Sequence, residues 1–471
     1  MLHPRIIQGG MGVGVSNWRL ARAVSQEGQL GVVSGTALDT VLARRLQMGD
    51  QGGHLRRALR KFPFQEMARR IWDRYFIEGG KTLGKAFLPS MFFSIKPSRH
   101  LLELTVVANF AEVFLAKEGH GGRVGINFLE KIQLPTLPSL FGALLAGADY
   151  VLMGAGIPRA IPGMLDRLAQ GKAASLKLDV EEAGGEEFHC MFDPEEFCGG
   201  KAKVPVMKKP FFFPVISSAT LALTMARKSN GCVDGFIVER PEAGGHNAPP
   251  RGVMHLDERG QPVYSARDLP DLAKIREIGL PFWLAGSFGR SGRLTEALRE
   301  GAAGVQVGTA FAFCEESGIS SAIKREMIEA SRKGKATVHT DPFASPTGFP
   351  FKIAGTGAPF ANSSSCGDRR RVCDLGYLRH PYRKGVGDLG YRCPGEPKED
   401  FVKKGGLPVA TEGRVCLCNG LLSAIGMGQV RDGRIEQSVL TAGDDVVRIA
   451  EFVPPGRESY TAADVIRTLL G

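Results

Sequence analysis

The chain has 471 residues, of which 43% are hydrophobic and 23% charged, and this balance is typical of a globular protein with a large core. Its net charge of +11 is spread along the sequence, and no helix-turn-helix spacing or aromatic-basic motif accompanies it, so we expect no nucleic-acid partner. The start of the sequence lacks the features of a secretory signal, nine cysteines are too sparse for a disulfide scaffold, and the most apolar window is interrupted by Asp149. We therefore expect a cytoplasmic protein without a membrane partner.

The first part of the chain alternates short apolar runs with helical patterns. Strands are predicted at "RIIQGG", "LGVVSG", "RVGINFL" and "YVLMGAG", because apolar runs of this length are typical of buried strands. Segments with helical periodicity follow the first and second of these strands, and another precedes the fourth. Residues 50–122 or so are rich in Arg, Phe and Lys with helical periodicity, which predicts a helical insertion.

The same alternation returns after a second interruption. Residues 171–209 carry acidic and cysteine-bearing segments, and we interpret them as a hairpin or loop insertion. Four more strands are predicted at "PFFFPVIS", "GFIVE", "PFWLAGS" and "AGVQVGTAF", each followed by a helical pattern. The last of these patterns, "SAIKREMIEASRKG", is predicted to be the eighth helix.

Eight strand-then-helix units predict an α/β fold, a (β/α)8 TIM barrel. The barrel is expected over residues 1–350, with the two insertions, and an irregular cysteine-bearing extension over residues 351–471. The alternative is an open doubly wound sheet, which needs a glycine-rich fingerprint leading from the first strand into a helix. The stretch "GGMGVG" does not fit that fingerprint, and no acidic residue follows at the required distance.

Candidate site residues follow from the barrel, because the chemistry of such barrels sits at the carboxyl ends of the strands. Small residues occur at the ends of the predicted seventh and eighth strands, in "LAGSFG" and "VGTAF". Barrels often bind a phosphate at this place through backbone N–H groups. These two rims therefore predict a phosphate site.

The motifs "IIQGGMG", "GINF", "EAGGH", "LAGSFG" and "GVQVGTAF" occur in this order, and together they resemble the flavin-dependent nitronate monooxygenases, formerly called 2-nitropropane dioxygenases. The resemblance covers residues 1–330 apart from the insertions. It implies FMN in the barrel mouth and a small-molecule substrate. A flavin enoyl reductase of bacterial fatty acid synthesis shares "EAGGH" and "VGTAF", so these motifs do not separate the branches of the superfamily.

The resemblance also implies which residues serve the site. His246 takes the place of the active-site histidine, as a base toward a neutral substrate or as a hydrogen-bond donor to it. Apart from the resemblance, Glu239 at the end of the predicted sixth strand is a second candidate at the same rim, with a salt bridge to Arg240 or Arg251 as the alternative. Some family members carry a lysine at the end of strand five, where this chain has Ser217. The cofactor-binding candidates are Gly9, Gly10, Met11, Asn127, Ser217, Gly245, Gly286, Ser287, Gly308 and Thr309.

Three functional hypotheses remain open at the level of sequence. The first is an oxidoreductase that oxidises alkyl nitronates or nitroalkanes with molecular oxygen through FMN. The second is an FMN- and NAD(P)H-dependent reductase of enoyl thioesters or quinones. The third is a non-catalytic or lipid-biosynthesis-associated barrel.

Cysteines cluster in the extension. Four thiolates would suit zinc or an iron–sulfur cluster, but the sequence contains C-x-C and no C-x-x-C pair. We therefore predict no metal, and a small Gly- and Pro-rich unit that covers the barrel mouth and buries its thiols. The cysteines concerned are Cys366, Cys373, Cys393, Cys416 and Cys418.

Overall fold

A closed barrel of parallel strands organises the computed structural model, which describes residues 3–357 and 370–471. Eight strands follow one another around it in the order β1-β10-β9-β8-β7-β4-β3-β2. A parallel bridge between Ile7 and Leu30 joins β1 to the start of β2 and closes the ring. The strands are β1 (Ile6–Gln8), β2 (Gly31–Ser34), β3 (Val124–Leu129), β4 (Tyr150–Gly154), β5 (Ala174–Lys177), β6 (His189–Phe192), β7 (Phe211–Ile216), β8 (Phe236–Glu239), β9 (Phe282–Ala285), β10 (Gly304–Val307), β11 (Thr337–Asp341), β12 (Phe351–Gly355), β13 (His380–Gly385), β14 (Asp388–Arg392), β15 (Val430–Arg431) and β16 (Arg434–Ile435). The predicted TIM barrel is confirmed.

Large side chains fill the amino-terminal part of the barrel. Trp283 stacks on Phe213 with ring centroids 4.8 Å apart, and its indole Nε1 donates a hydrogen bond of 2.8 Å to the carbonyl oxygen of Pro4. Because this end is packed solid, the space that the described residues leave inside the barrel lies at the carboxyl ends of the strands. The buried residues of this inner cluster are Ile7, Leu30, Val32, Tyr150, Leu152, Phe213, Ile237, Trp283 and Ala285.

Helices form the outer wall of the barrel and also occur in the insertions and in the extension. They are α1 (Trp18–Gln26), α2 (Leu38–Gln47), α3 (His54–Leu59), α4 (Gln65–Tyr75), α5 (Arg99–Lys117), α6 (Thr136–Leu145), α7 (Ile161–Ala169), α8 (Pro194–Cys198), α9 (Ala219–Lys228), α10 (Leu272–Arg276), α11 (Arg293–Arg299), α12 (Thr309–Ala312), α13 (Ser321–Arg332), α14 (Lys398–Lys403), α15 (Leu417–Ala424) and α16 (Ala462–Leu470). Short 3₁₀ helices span Lys201–Lys203, Ala266–Asp268, Pro408–Thr411 and Asp444–Phe452. No helix in the described ranges is both long and apolar enough to cross a membrane.

The segment predicted as a helical insertion contains one helix of the barrel wall. Helix α5 packs against α1 on one side and α6 on the other, and also against β2 and β3. Ser98 caps it, because its hydroxyl accepts the N–H of Leu101 at 3.3 Å. The insertion into the barrel therefore ends before α5 rather than at residue 122. The second interruption, residues 171–209, contains the antiparallel hairpin β5–β6.

The last helix of the chain completes the wall. Helix α16 packs against α1, α11 and α12, and its apolar face is buried at Val465, Ile466 and Leu469. Helix α13, predicted to be the eighth barrel helix, instead packs against the 3₁₀ helix Asp444–Phe452. The extension thus leaves the barrel after β10, crosses its mouth and returns to it.

Candidate functional site

A cavity of about 250 Å³ lies at the carboxyl ends of the barrel strands. The rims of the barrel form one side of it, and the extension contributes the other, with Tyr377, Leu378, Leu417, Cys418 and Leu421. The predicted site residues on its wall are Gly9, Gly10, Met11, Asn127, Gly245, His246, Gly286, Ser287, Gly308 and Thr309. These side chains and backbones come from β1, β3, β8, β9 and β10, so the fold brings distant motifs together.

Ser217 is the one predicted cofactor residue that does not line this cavity. Its carbonyl oxygen faces the guanidinium of Arg251, with Nη2 at 3.5 Å. Val215, two residues earlier on β7, reaches the cavity instead. The strand ends before Ser217 can turn inward, because Ser218 already caps α9 by accepting the N–H of Leu221 at 3.2 Å.

Hydrogen bonds hold the loop after β1 in place. Ser16 Oγ donates to the carbonyl oxygen of Gly9 at 2.8 Å and accepts the N–H of Met11 at 2.9 Å. Gln8 Nε2 donates to the same hydroxyl at 2.8 Å. A Cβ atom on Gly10 would stand 2.3 Å from Cβ of Asn127, so only glycine lets this loop approach β3 so closely.

The rims after β9 and β10 meet the extension. Gly289 donates its N–H to Asp445 Oδ2 at 3.0 Å, and Gly443 donates its N–H to Thr309 Oγ1 at 2.8 Å. Burial raises the pKa of Asp445 above its ordinary value. A carboxylate of the extension therefore stands beside the predicted phosphate rim, while Gly286, Ser287 and Gly308 still line the cavity.

His246 is half-buried and lines the cavity. Its Nε2 lies 2.7 Å from Ser345 Oγ, and its ring makes an edge contact with Phe351 at a centroid distance of 4.9 Å. Burial lowers the pKa of His246 to about 4. The imidazole is therefore neutral near pH 7, and the hydrogen bond to Ser345 leaves Nδ1 as its other polar atom.

The two glycines before His246 have different roles. A Cβ on Gly244 would stand 2.7 Å from the carbonyl carbon of Ala442, so this glycine allows the extension to approach. Gly245 has φ of +80°, a backbone conformation that glycine adopts readily. Its N–H donates to Thr441 Oγ1 at 3.0 Å. The loop therefore turns across the barrel mouth and is anchored there by the extension.

Glu239 does not form the salt bridge that the sequence left open. Arg240 pairs with Glu300, with Nη2 and Oε2 at 2.9 Å, and the N–H of Arg251 donates to Asp268 Oδ1 at 2.7 Å. Burial raises the pKa of Glu239 to about 8. Its carboxyl group thus lines the cavity in the protonated form near pH 7.

Several residues in or behind the cavity wall were not predicted from the sequence. The hydroxyl of Tyr377 donates a hydrogen bond to Asp39 Oδ1 at 2.6 Å. Ser345, which forms a hydrogen bond with His246, lies 99 positions away in the chain. Glu242 and Gln306 each carry a buried oxygen without a hydrogen-bond partner, Oε2 and Oε1 respectively. Glu242 lies within the "EAGGH" motif and could have been found there, whereas the others depend on long-range packing.

The wall of the cavity fits a flavin mononucleotide in two respects. The buried oxygens of Glu242 and Gln306 lack donors, and the N3–H group of an oxidised flavin ring could donate to one of them. The rims at Gly9, Gly286 and Gly308 carry no side chains, so a flat ring and a phosphate can approach the backbone closely.

Comparison with known proteins agrees with the resemblance seen in the sequence. Residues 207–345 match the family model of nitronate monooxygenase. The matched segment runs from before β7 to beyond β10 and contains Glu239 and His246. The match confirms the resemblance over this part of the chain and indicates an oxidoreductase enzyme. No curated protein shows a significant match to the sequence.

Solved structures with the same fold include FabK from Thermotoga maritima. It aligns with a TM-score of 0.51 and 16% identity, over 100% of this chain and 92% of that chain, which supports the barrel fold. The nitroalkane oxidase from Streptomyces ansochromogenes has a TM-score of 0.46 and 15% identity, over 100% and 95% of the two chains. The enoyl reductase domain of MlnA from Bacillus amyloliquefaciens has a TM-score of 0.47 and 11% identity, over 98% and 91%.

Proposed function

We propose that this chain is an FMN-dependent oxidoreductase that oxidises alkyl nitronates and nitroalkanes with molecular oxygen. The observation that carries the proposal is His246, a neutral imidazole on the wall of the cavity. It lies within the segment that matches the nitronate monooxygenase family model. The rims of small residues around the cavity support the choice of cofactor.

The residues that would hold FMN come from the ends of four strands, β1, β3, β9 and β10. Gly9, Gly10 and Met11 would lie along the ring, and Asn127 beside them, since its Nδ2 is already directed at the carbonyl oxygen of Gly10 at 3.3 Å. The backbones of Gly286, Ser287, Gly308 and Thr309 would bind the phosphate. Bound FMN would supply the electron acceptor, which no protein side chain provides.

His246 would act on the proton of the substrate. A nitroalkane must lose a proton from the carbon next to the nitro group before it becomes a nitronate. A neutral imidazole can accept that proton, and Nδ1 is the nitrogen not engaged with Ser345. The hydroxyl of Ser345 would fix the orientation of the ring, since it is itself held by Thr347, with the two oxygens 2.8 Å apart.

The extension would keep water away from the reacting atoms. Leu378, Leu417 and Leu421 line the cavity opposite the barrel rims, and Phe351 packs beside His246. Apolar walls exclude water and strengthen the electrostatic interactions inside the site. They also favour an alkyl group on the substrate.

A second candidate is the FMN- and NAD(P)H-dependent reduction of an enoyl thioester. The observation that favours it is Glu239, whose carboxyl group is protonated near pH 7 because burial raises its pKa to about 8. Reduction of a carbon–carbon double bond requires a proton donor as well as a hydride. The apolar wall of the extension would accept an acyl chain as readily as a short alkyl group.

One anaerobic experiment separates the two candidates. The flavin absorbance of the purified protein is followed while a pre-formed alkyl nitronate, or NADPH, is added without oxygen. Bleaching by the nitronate and none by NADPH supports the first function. Bleaching by NADPH alone contradicts it and favours the reductase.

A further inference from the structure

A carboxylate of the extension lies at the two rims where the phosphate of FMN would bind. Asp445 is the second residue of the 3₁₀ helix Asp444–Phe452 and lines the cavity. Its Oδ2 accepts the N–H of Gly289, in the loop after β9, at 3.0 Å. A Cβ atom on Gly289 would stand 3.2 Å from this oxygen and 3.5 Å from Cβ of Ala310, which belongs to α12 after β10. The carboxylate is therefore close to the ends of both strands.

Three groups of the loop after β9 interact with this carboxylate. Gly289 contributes its backbone N–H, and the side chain of Ser287 forms a hydrogen bond with Asp445. Arg290 contributes its guanidinium, with Nε at 3.5 Å from Asp445 Oδ1. A backbone N–H, a hydroxyl and a guanidinium are also donors that proteins use to bind phosphate. Asp445 thus engages donors that would suit the phosphate of the cofactor.

The contact with Arg290 leaves one of these donors unsatisfied. Arg290 Nε is buried and has no hydrogen-bond acceptor among the residues that the structure describes. Its separation of 3.5 Å from Asp445 exceeds the length of a charge-assisted hydrogen bond, which is about 2.8 Å. A buried donor without an acceptor costs free energy, so this nitrogen is suited to accept a further anionic partner.

Other contacts of the extension fix the position of Asp445. Asp444 Oδ1 pairs with Lys352 Nζ at 2.6 Å, and the N–H of Asp444 donates to the carbonyl oxygen of Glu242 at 3.1 Å. The N–H of Gly443 donates to Thr309 Oγ1 at 2.8 Å. Because these contacts do not involve the loop after β9, they would keep the carboxylate near the rim when a phosphate binds there.

We propose that Asp445 competes with the phosphate of FMN for the donors of the loop after β9. The competition lowers the preference of the site for FMN over riboflavin, which is the same flavin without the phosphate. Two anions close together in a partly desolvated site repel each other, and they also require the same N–H groups. The inference rests on the proposed function, from which it takes the cofactor and the place of its phosphate. It adds that the extension limits how much the phosphate contributes to binding.

The test compares the binding of two flavins. The full chain and its variants are freed of bound flavin and titrated with FMN and with riboflavin, and quenching of flavin fluorescence gives each Kd. Asp445→Asn keeps the shape of the side chain and removes its charge. We expect the ratio of the riboflavin Kd to the FMN Kd to rise by about tenfold or more, because a like-charge contact is removed. The riboflavin Kd itself should change little.

A control variant separates this contact from the net charge of the segment. Glu451→Gln removes one negative charge from the same 3₁₀ helix, but Glu451 pairs with Arg448 and its side chain is 54% exposed. This variant should have the Kd ratio of the natural protein. An equal rise of the ratio in Glu451→Gln and Asp445→Asn would overturn the proposal.

The direction of the change distinguishes competition from support. An unchanged ratio in Asp445→Asn overturns the proposal, and so does a lower ratio, which would mean that Asp445 helps the rim to bind the phosphate. If Asp445→Asn does not fold, Asp445→Ala decides by the same ratio. Failure of both flavins to bind to any of the folded proteins contradicts the proposed cofactor itself. Binding of both flavins with an unchanged ratio contradicts only the role of Asp445.

Discussion

His246 owes its proposed role to the two glycines that precede it and to Ser345, which is distant in the chain. Gly244 and Gly245 let its loop turn inward, and Ser345 holds its Nε2 at 2.7 Å. The loop, the glycines and the histidine were predicted because they form one contiguous motif. The contact with Ser345 was not, because no sequence pattern links two residues 99 positions apart.

The first prediction concerns the proton that His246 would accept. His246→Ala is expected to keep FMN bound, because the cofactor would be held mainly by backbone groups. Turnover of a neutral nitroalkane should fall by about 10²–10⁴-fold, the usual contribution of a positioned general base. A pre-formed nitronate has already lost its proton, so its turnover should fall much less. Steady-state rates with both substrates check this, and equal losses would show that His246 is not the base.

The second prediction concerns the pH dependence of stability. Glu239 has a pKa of about 8 in the folded protein because it is buried, against an ordinary value of 4.5. Its contribution to stability is therefore fully present below pH 4.5 and is lost as the pH rises through 8. Glu239→Gln replaces the carboxyl group with a neutral amide of similar shape. Because the amide does not titrate, the variant does not lose this contribution to stability as the pH rises. Melting temperatures measured from pH 5 to pH 9 should fall more steeply for the natural protein than for the variant. Parallel curves would mean that Glu239 titrates normally.

At the scale of elements, the strands were predictable and two helices were not. Each barrel strand is a short apolar run, so its position follows from composition. Helix α5 lies within a segment whose composition predicted an insertion. Helix α16 takes the place of the eighth barrel helix, which the sequence assigned to α13, about 130 residues earlier in the chain. Their places in the wall depend on which helices they pack against, and a single sequence does not contain that information.

The third prediction tests the closing role of α16. Leu469 is 3% exposed and Leu470 is 47% exposed, so the two neighbours form a matched pair. Leu469→Ala should lower the free energy of unfolding by about 2–5 kcal/mol, because it leaves a cavity between α16 and the barrel. Leu470→Ala should change it by less than about 0.5 kcal/mol. Denaturant unfolding measures both, and similar values would contradict the packing of α16.

The fourth prediction tests the phosphate rim after β9. Ser287→Asp would set a carboxylate against the phosphate of FMN, beside Asp445, with which the Ser287 side chain interacts, and should release the flavin from a folded protein. Ser287→Asn is the control, since Ser287 has φ of +55° and both Asp and Asn tolerate that conformation. Flavin content after gel filtration is the measurement. If Ser287→Asp retains its flavin, the phosphate does not bind at this rim.

At the scale of the whole molecule, the extension is part of the site rather than an addition to it. It supplies Tyr377, Leu378 and Cys418 to the cavity wall and anchors the His246 loop through Thr441. The sequence predicted a cover for the barrel mouth from its Gly- and Pro-rich composition. Which residues face inward could not be predicted, because the extension has short strands and little periodicity. Cys366 was grouped with the other cysteines from the sequence, and it lies outside the described residues.

If the barrel mouth binds FMN, the purified protein should release FMN when it is denatured. The natural protein is denatured, and the released flavin is identified by mass and quantified against the chain. We expect close to one equivalent of FMN, either as purified or after incubation with FMN and gel filtration. A folded protein that carries no flavin and takes up none would contradict the account.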